Sequence, residues 1–222
     1  MKKTDTPVDL ELSAMKQAPM KPKAIAEKLI ESLSQVAGPE QNLANGENIM
    51  LMDENNAFKV LLLLEGRIDI WRDHDQLLVV TITPPFILGL QGSEFRYSGH
   101  SFRASAKTTV RMVDQEVAFK FIAEHQLFME VMQYQSYVND HIAYLNSIMI
   151  NSTVYEMVCT RLLELATHPD YQKINACDYI LKRTHLARSG VMKLLADLRF
   201  GGYIDTKGGK LVSLLKPFPK KY

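Results

Sequence analysis

The spacing of apolar residues changes period twice along this chain, and that constrains its fold more than any other feature. Pro22 to Val36 carries Ile25, Leu29, Ile30, Leu33 and Val36 at helical spacing and is stopped by Gly38-Pro39. From about Asn48 to Val117 the pattern is that of strands. Val60 to Leu64 is a continuous apolar run broken at Glu65-Gly66. Ile68, Ile70 and Trp71 follow, Asp73-His74-Asp75 turns the chain, Leu77 to Ile82 returns it, and Pro84-Pro85 stops it. Thr108 to Val113 predicts a further strand. No helical crossover separates these strands, so a β-sandwich or barrel-like antiparallel domain is expected.

From about Ala118 the helical period returns. Phe128, Val131, Gln135, Val138, Ile142, Leu145 and Met149 alternate steps of three and four residues, the seam of a coiled coil with one polar member, Gln135. A helix packed on its own β-domain gives a similar pattern. A further helix is predicted from about Val154 to Thr167, ending at His168-Pro169.

The last third predicts function. Asp178 to Arg183 reads as a short helix, Thr184-His185 as a turn, and Arg188 to Phe200 as a second helix. Ile180, Leu186, Val191 and Leu194 fall at the inward positions that hold two helices steeply around a tight turn. Gly201-Gly202 ends the second helix. Tyr203-Ile204-Asp205, Lys207-Gly208-Gly209-Lys210 and Leu211 to Leu214 read as a β-hairpin. A helix-turn-helix followed by a hairpin is a winged helix. Its outward residues would be Arg188, Ser189, Met192 and Lys193, with Lys207 and Lys210 on the wing. Arg bonds guanine bidentately, Ser bonds several base edges, and Lys pairs with phosphate. Two positions fit the pattern less well: His185 stands where Gly is usual in the turn, and Ala187 where a Ser or Thr would cap the second helix.

Charge supports this reading locally rather than globally. The net charge is only +1. Yet Lys182, Arg183, Arg188, Lys193, Arg199, Lys207, Lys210, Lys216, Lys220 and Lys221 all follow Cys177, against Asp178, Asp197 and Asp205 alone. Such an excess is the footprint that phosphate binding requires. No apolar run reaches the 18 or so residues of a membrane span, and the start (Met1-Lys2-Lys3-Thr4-Asp5) lacks a signal-peptide core. A cytoplasmic, membrane-free protein is expected. Two cysteines, Cys159 and Cys177, are too few for a four-cysteine metal or cluster site, and no cofactor or metal is expected. Cys159 reads as a small buried hydrophobe, and His125 and His141 as structural or surface residues. Cys177, at a predicted helix start, favours a thiolate and is a candidate redox residue, against the commoner structural role.

The order of helix, β-domain, long heptad helix and winged helix-turn-helix resembles the cyclic-AMP receptor and fumarate–nitrate regulator (CRP/FNR) family. The resemblance spans about Ala24 to Leu215. Leu64-Glu65-Gly66-Arg67-Ile68, Ala106-Lys107-Thr108 and Thr184 to Leu198 carry it. Pro85 to Leu90 and Tyr179 to Lys210 look more like a divergent enterobacterial subgroup, the inhibitor-of-hydrogen-peroxide-resistance type. The resemblance implies an α+β chain. A flexible arm would cover residues 1–20, a cyclic-nucleotide-binding-like β-roll 21–125, a dimerisation helix 126–150 and a winged helix-turn-helix 151–222. It implies a homodimer with double-stranded DNA and RNA polymerase as partners. It also places Arg188 and Lys193 at DNA-contacting positions, and Ser189 at a base-reading position that is often acidic in the family.

Nucleotide-binding members of that family hold the ribose with a Gly-Glu pair and the phosphate with an Arg-Ser pair. Here Gly89 is followed by Leu90, with no Glu, and His100-Ser101 stands near the second place with Arg103 beyond it. Leu accepts no ribose bond and neutral His is a poor substitute for a bidentate Arg, so cyclic AMP is not expected to bind. Gly89, His100, Ser101 and Arg103 remain candidates for a degenerate ligand pocket, with a solvated loop as the plainer reading. The absence of any nucleophile–base pair, zinc triad or phosphate loop argues against an enzyme. A DNA-binding regulator, which the subgroup resemblance ties to oxidative stress, and a protein–protein adaptor whose winged helix has lost DNA are the two classes left open. Salt-dependent duplex binding separates them.

Overall fold

The computed structural model describes residues 18–55, 57–90 and 99–219. The arm expected over residues 1–20 therefore falls almost wholly outside the described residues. The chain divides into two compact units, Pro19–Ala143 and a C-terminal unit from Tyr144.

In the first unit α1 (Lys23–Ser34) precedes β1 (Gln41–Leu43), β2 (Asn48–Ile49), β3 (Lys59–Glu65), β4 (Ile68–Arg72), β5 (Leu77–Ile82), β6 (Phe86–Leu88), β7 (His100–Ala104) and β8 (Thr108–Asp114). Helix α2 (Gln115–Glu124) and the long α3 (Phe128–Asn151) follow. Two four-stranded sheets form, in orders β1-β8-β3-β6 and β2-β7-β4-β5, and their described pairings are antiparallel. Strand β3 explains why Val60 to Leu64 is apolar without alternation. Val60 and Leu62 pack with Leu29 and Leu33 of α1 and Ile122 of α2, whereas Leu61 and Leu63 face the interior with Ile68, Phe86, Leu88 and Val110.

Two motifs far apart in sequence meet at the β3–β4 turn. Gly66 has φ +85°, and a Cβ there would lie 2.4 Å from the Lys107 carbonyl oxygen. The buried Thr108 hydroxyl accepts from the Arg67 amide at 3.2 Å and lies 3.0 Å from the Arg67 carbonyl oxygen. Glycine tolerates both the positive φ and the close approach. The edge strand β6 is closed by α3. The buried Tyr134 hydroxyl accepts from the Ile87 amide (2.8 Å) and donates to the Ile87 carbonyl (3.1 Å), so one side chain pairs both edge-facing backbone groups of this residue.

The structure differs from the sequence expectations at three places. Strands β1, β2, β6 and β7 were not anticipated, β1 lying ahead of the predicted strand region; β7 lies where a solvated loop was the plainer reading. The helical segment after the sheets begins at Gln115 rather than Ala118. Along α3, Val131 and Val138 pack partly against their own β-domain, while Phe128 and Ile142 stay exposed, so the predicted seam is shared between the β-domain and open surface.

Candidate nucleic-acid interface

The C-terminal unit is built on α4 (Val154–Ala166), α5 (Ala176–Leu181), α6 (Arg188–Phe200), β9 (Ile204–Lys207) and β10 (Lys210–Leu214). Helix α4 starts at a capping box: Thr153 Oγ1 accepts from the Glu156 amide at 3.2 Å, and Glu156 Oε2 accepts from the Thr153 amide at 2.7 Å. Val158, Cys159 and Leu162 of α4 pack with Ile180 of α5, Val191 and Leu198 of α6 and Leu211 of the hairpin. One apolar core thus fixes the angle between α5 and α6.

The turn between them is held by polar contacts as well. The Thr184 hydroxyl donates to the Ile180 carbonyl at 2.9 Å. Glu164 takes Arg161 at 2.6 Å and Arg183 at 3.5 Å, and the Arg183 guanidinium lies 3.7 Å above the Tyr179 ring. Arg161 and Arg183 are both buried. Arg183 therefore belongs to the core and leaves the basic footprint in which the sequence placed it. Charge count alone gives no sign of this, because a buried Arg and a phosphate-binding Arg look the same in sequence.

Helix α6 spans the residues that the sequence indicates, and Arg188, Ser189, Met192 and Lys193 are all exposed on its outer side while Val191 and Leu198 are buried. The Ala187 N-cap has extended backbone and no side-chain cap. At the other end Gly202 has φ +67°. Its amide donates to the Arg199 carbonyl at 3.0 Å, and the Tyr203 amide to the Leu198 carbonyl at 2.9 Å, which is a Schellman ending. The hairpin turns on Gly208 and Gly209, φ +59° and +76°, so Lys207 and Lys210 stand opposite one another, both exposed. Positive φ at both central residues is the type I′ requirement. The wing is tied to α5, since the Ala176 amide donates to the Gly209 carbonyl at 2.9 Å and Asn175 bridges to Lys210.

Sequence reasoning missed the partners of Arg188. Its Nη2 donates to Asp178 Oδ1 at 2.8 Å, and its Nη1 lies 3.9 Å from Cys177 Sγ. The Cys177 thiol is buried, and burial pushes its pKa up while Arg188 pulls the other way. The expectation of a favoured thiolate is corrected: at this helix start the thiol faces the core rather than water, and desolvation of the anion wins. Cys159 is buried too, its thiol pushed up to about 12 by desolvation.

The four candidate pocket residues are divided between the two sheets. Gly89 follows β6 in the first sheet, has φ +90°, and its carbonyl accepts from Gln115 Nε2 at 2.7 Å. His100, Ser101 and Arg103 lie on β7 in the second sheet. Strand alternation sends Phe102 and the buried Ala104 inward, so Arg103 points outward, where it is exposed and bonds Asn48 Oδ1 at 3.2 Å. His100 shares the parity of Phe102, and Ser101 that of Arg103. A single ligand cannot bind all three from one face. Among the described residues no group of His, Cys, Asp and Glu is placed to hold a metal ion, and no helix is long and apolar enough to cross a membrane.

A roll of two antiparallel sheets, a long helix and a C-terminal helix-turn-helix with wing make this an α+β chain with the CRP/FNR fold. Residues 154–220 match a family model described as winged helix-turn-helix DNA binding, so this segment is a winged helix-turn-helix DNA-binding domain. Among solved structures, the c-di-GMP-responsive global regulator CLP of Xanthomonas campestris superimposes with a TM-score of 0.64 at 12% identity, covering 86% of this chain and 100% of that one. A putative CRP/FNR-family transcriptional regulator of Eubacterium rectale gives 0.58 at 17% identity, covering 86% and 89%. By sequence the chain is similar to the inhibitor of hydrogen peroxide resistance of Escherichia coli K12. It is 26% identical over 209 residues, which cover 88% of this chain and 94% of that protein. The subgroup resemblance drawn from the motifs is thus borne out.

Proposed function

We propose that this chain is a homodimeric transcription regulator that reads a near-palindromic DNA site with α6. The observation that carries this is the exposed row Arg188, Ser189, Met192 and Lys193 on a helix whose opposite face is buried, in the same unit as a wing with Lys207 and Lys210 at its tip. Arg188 sits at the N-terminal end of α6, the end that reaches base edges, and Lys193, Lys207 and Lys210 serve phosphates. The roll acts without cyclic nucleotide, because Leu90 rather than a Glu follows Gly89, and His100-Ser101 stands where an Arg-Ser pair would hold the phosphate. RNA polymerase is the partner that regulation at a promoter requires. The name of the Escherichia coli relative, inhibitor of hydrogen peroxide resistance, supports a link to peroxide stress.

Binding isotherms on a selected and a scrambled duplex, at several salt concentrations, test the reading. Arg188→Ala should cost about 1–3 kcal/mol on the selected site and much less on scrambled DNA. Lys207→Ala should weaken both similarly and lower the salt slope by about one unit. Unchanged binding by a variant lacking both Arg188 and Lys193 would remove the proposal and promote the adaptor. Isothermal titration with cyclic AMP should show no saturable heat at micromolar protein.

A further inference from the structure

Arg188 does not project freely from α6. Both terminal nitrogens of its guanidinium are engaged by α5, Nη2 by Asp178 Oδ1 at 2.8 Å and Nη1 by Cys177 Sγ at 3.9 Å. The carboxylate is itself placed by the fold. Asn175 Oδ1 accepts from the Asp178 amide at 3.1 Å and fixes the first turn of α5, and the same Asn175 meets the wing at Gly209 and Lys210. We infer that Asp178 is a specificity-determining positioning residue of the DNA interface. It buttresses Arg188 for a base edge and penalises binding in which Arg188 leaves it for a phosphate. The inference rests on the proposed DNA-reading role of α6.

A guanidinium has five N–H protons, and the two contacts with α5 use two of them, leaving three to donate to a base. Holding the group in one orientation before DNA arrives removes part of the ordering cost of a bidentate bond, and that gain applies only where the base offers matching acceptors. On a non-cognate duplex Arg188 gains most by turning to a phosphate. Asp178, half-exposed, is then left unpaired near the polyanion, and like charges brought together raise the free energy of that complex alone. The net charge of the pair is zero, so Asp178 withholds from non-specific binding the attraction that a free Arg188 would provide.

The test uses the full chain, a duplex selected by the wild-type protein from a random pool, and a scrambled duplex of the same composition. Asp178→Asn should bind the scrambled duplex about three to ten times more tightly and the selected duplex no more tightly, so the ratio of affinities falls by at least about threefold. Asp178→Glu, which keeps the charge, should recover part of that ratio. In an Arg188→Ala background Asp178→Asn should leave the ratio unchanged, since the group it positions is gone. An unchanged ratio for Asp178→Asn, with the wild type still discriminating, overturns this inference and leaves the DNA-reading role standing. Equal loss on both duplexes, repeated in the Arg188→Ala background, overturns it in favour of a purely structural Asp178. A wild-type chain that binds no duplex overturns the proposed function and this inference together.

Discussion

Replacing Tyr134 by Phe removes one oxygen and leaves two buried backbone groups of Ile87 without their partner. An unsatisfied buried donor or acceptor costs about 1–3 kcal/mol, so Tyr134→Phe should lower the denaturation midpoint of the β-roll by a corresponding amount. Gly66→Ala should be worse than its single methyl suggests. It adds a Cβ against the Lys107 carbonyl at a positive φ, and should cost more than about 1 kcal/mol in the same denaturant experiment. The cysteines predict a different kind of result. Burial raises both thiols above their ordinary value, so at pH 8 neither carries much thiolate in the folded chain. A thiol reagent at that pH should modify Cys159 and Cys177 quickly only after denaturation. Fast labelling of Cys177 in the native protein would restore a redox reading for it.

At the scale of elements, α4 and α6 differ in how they begin. Helix α4 has both bonds of a capping box, whereas α6 starts at Ala187 with φ −70° and ψ 138° and no side-chain acceptor. That backbone is the geometry an N-cap Ser adopts, so Ala187→Ser should stabilise the C-terminal unit by about 1 kcal/mol, read as a rise in its melting temperature. Removing the cap in the opposite sense, Thr153→Ala, should cost a similar amount. These two helices also mark where sequence was informative. The bounds of α6, its glycine ending and the two-glycine hairpin were legible because each rests on local chemistry: a 3.6-residue period, a left-handed Gly202, and positive φ at Gly208 and Gly209. Strand β7 was not legible. Its sequence His100-Ser101-Phe102-Arg103-Ala104 offers only two apolar residues, and it is a strand because β4 and β2 flank it in the sheet. The Asp178–Arg188 pair was equally hidden, since ten residues separate its members and only the turn brings them together. Arg183 shows the converse, a basic residue that looked like interface and is core.

For the whole molecule the decisive question is how α3 uses its two sides. Tyr134, Val131 and Val138 pack into the β-roll, so substituting them damages the roll rather than any interface. Phe128, Met132 and Ile142 are 59%, 64% and 50% exposed and fall within one stripe of the helix at steps of four, seven and three residues from Gln135 or each other. In the proposed homodimer this exposed apolar stripe is the surface that a second α3 would cover, with Gln135 on the same side. Ile142→Asp should therefore yield a monomer with an unchanged melting profile of the roll, whereas Val138→Asp should lower that melting temperature whatever the oligomeric state. Loss of the dimer also removes the second half-site from each binding event. Two linked recognition helices gain about 10²–10⁴-fold from one another through effective concentration, so the monomer should lose affinity on that scale for a near-palindromic site with half-sites about one helical turn apart. On a duplex carrying one half-site, Ile142→Asp and wild type should bind within a few-fold of each other. Sedimentation velocity and isotherms on the two duplexes give the answer. A wild-type chain that sediments as a monomer while holding full affinity for the palindrome would show that α3 does not make the dimer and that one winged helix reads the site alone.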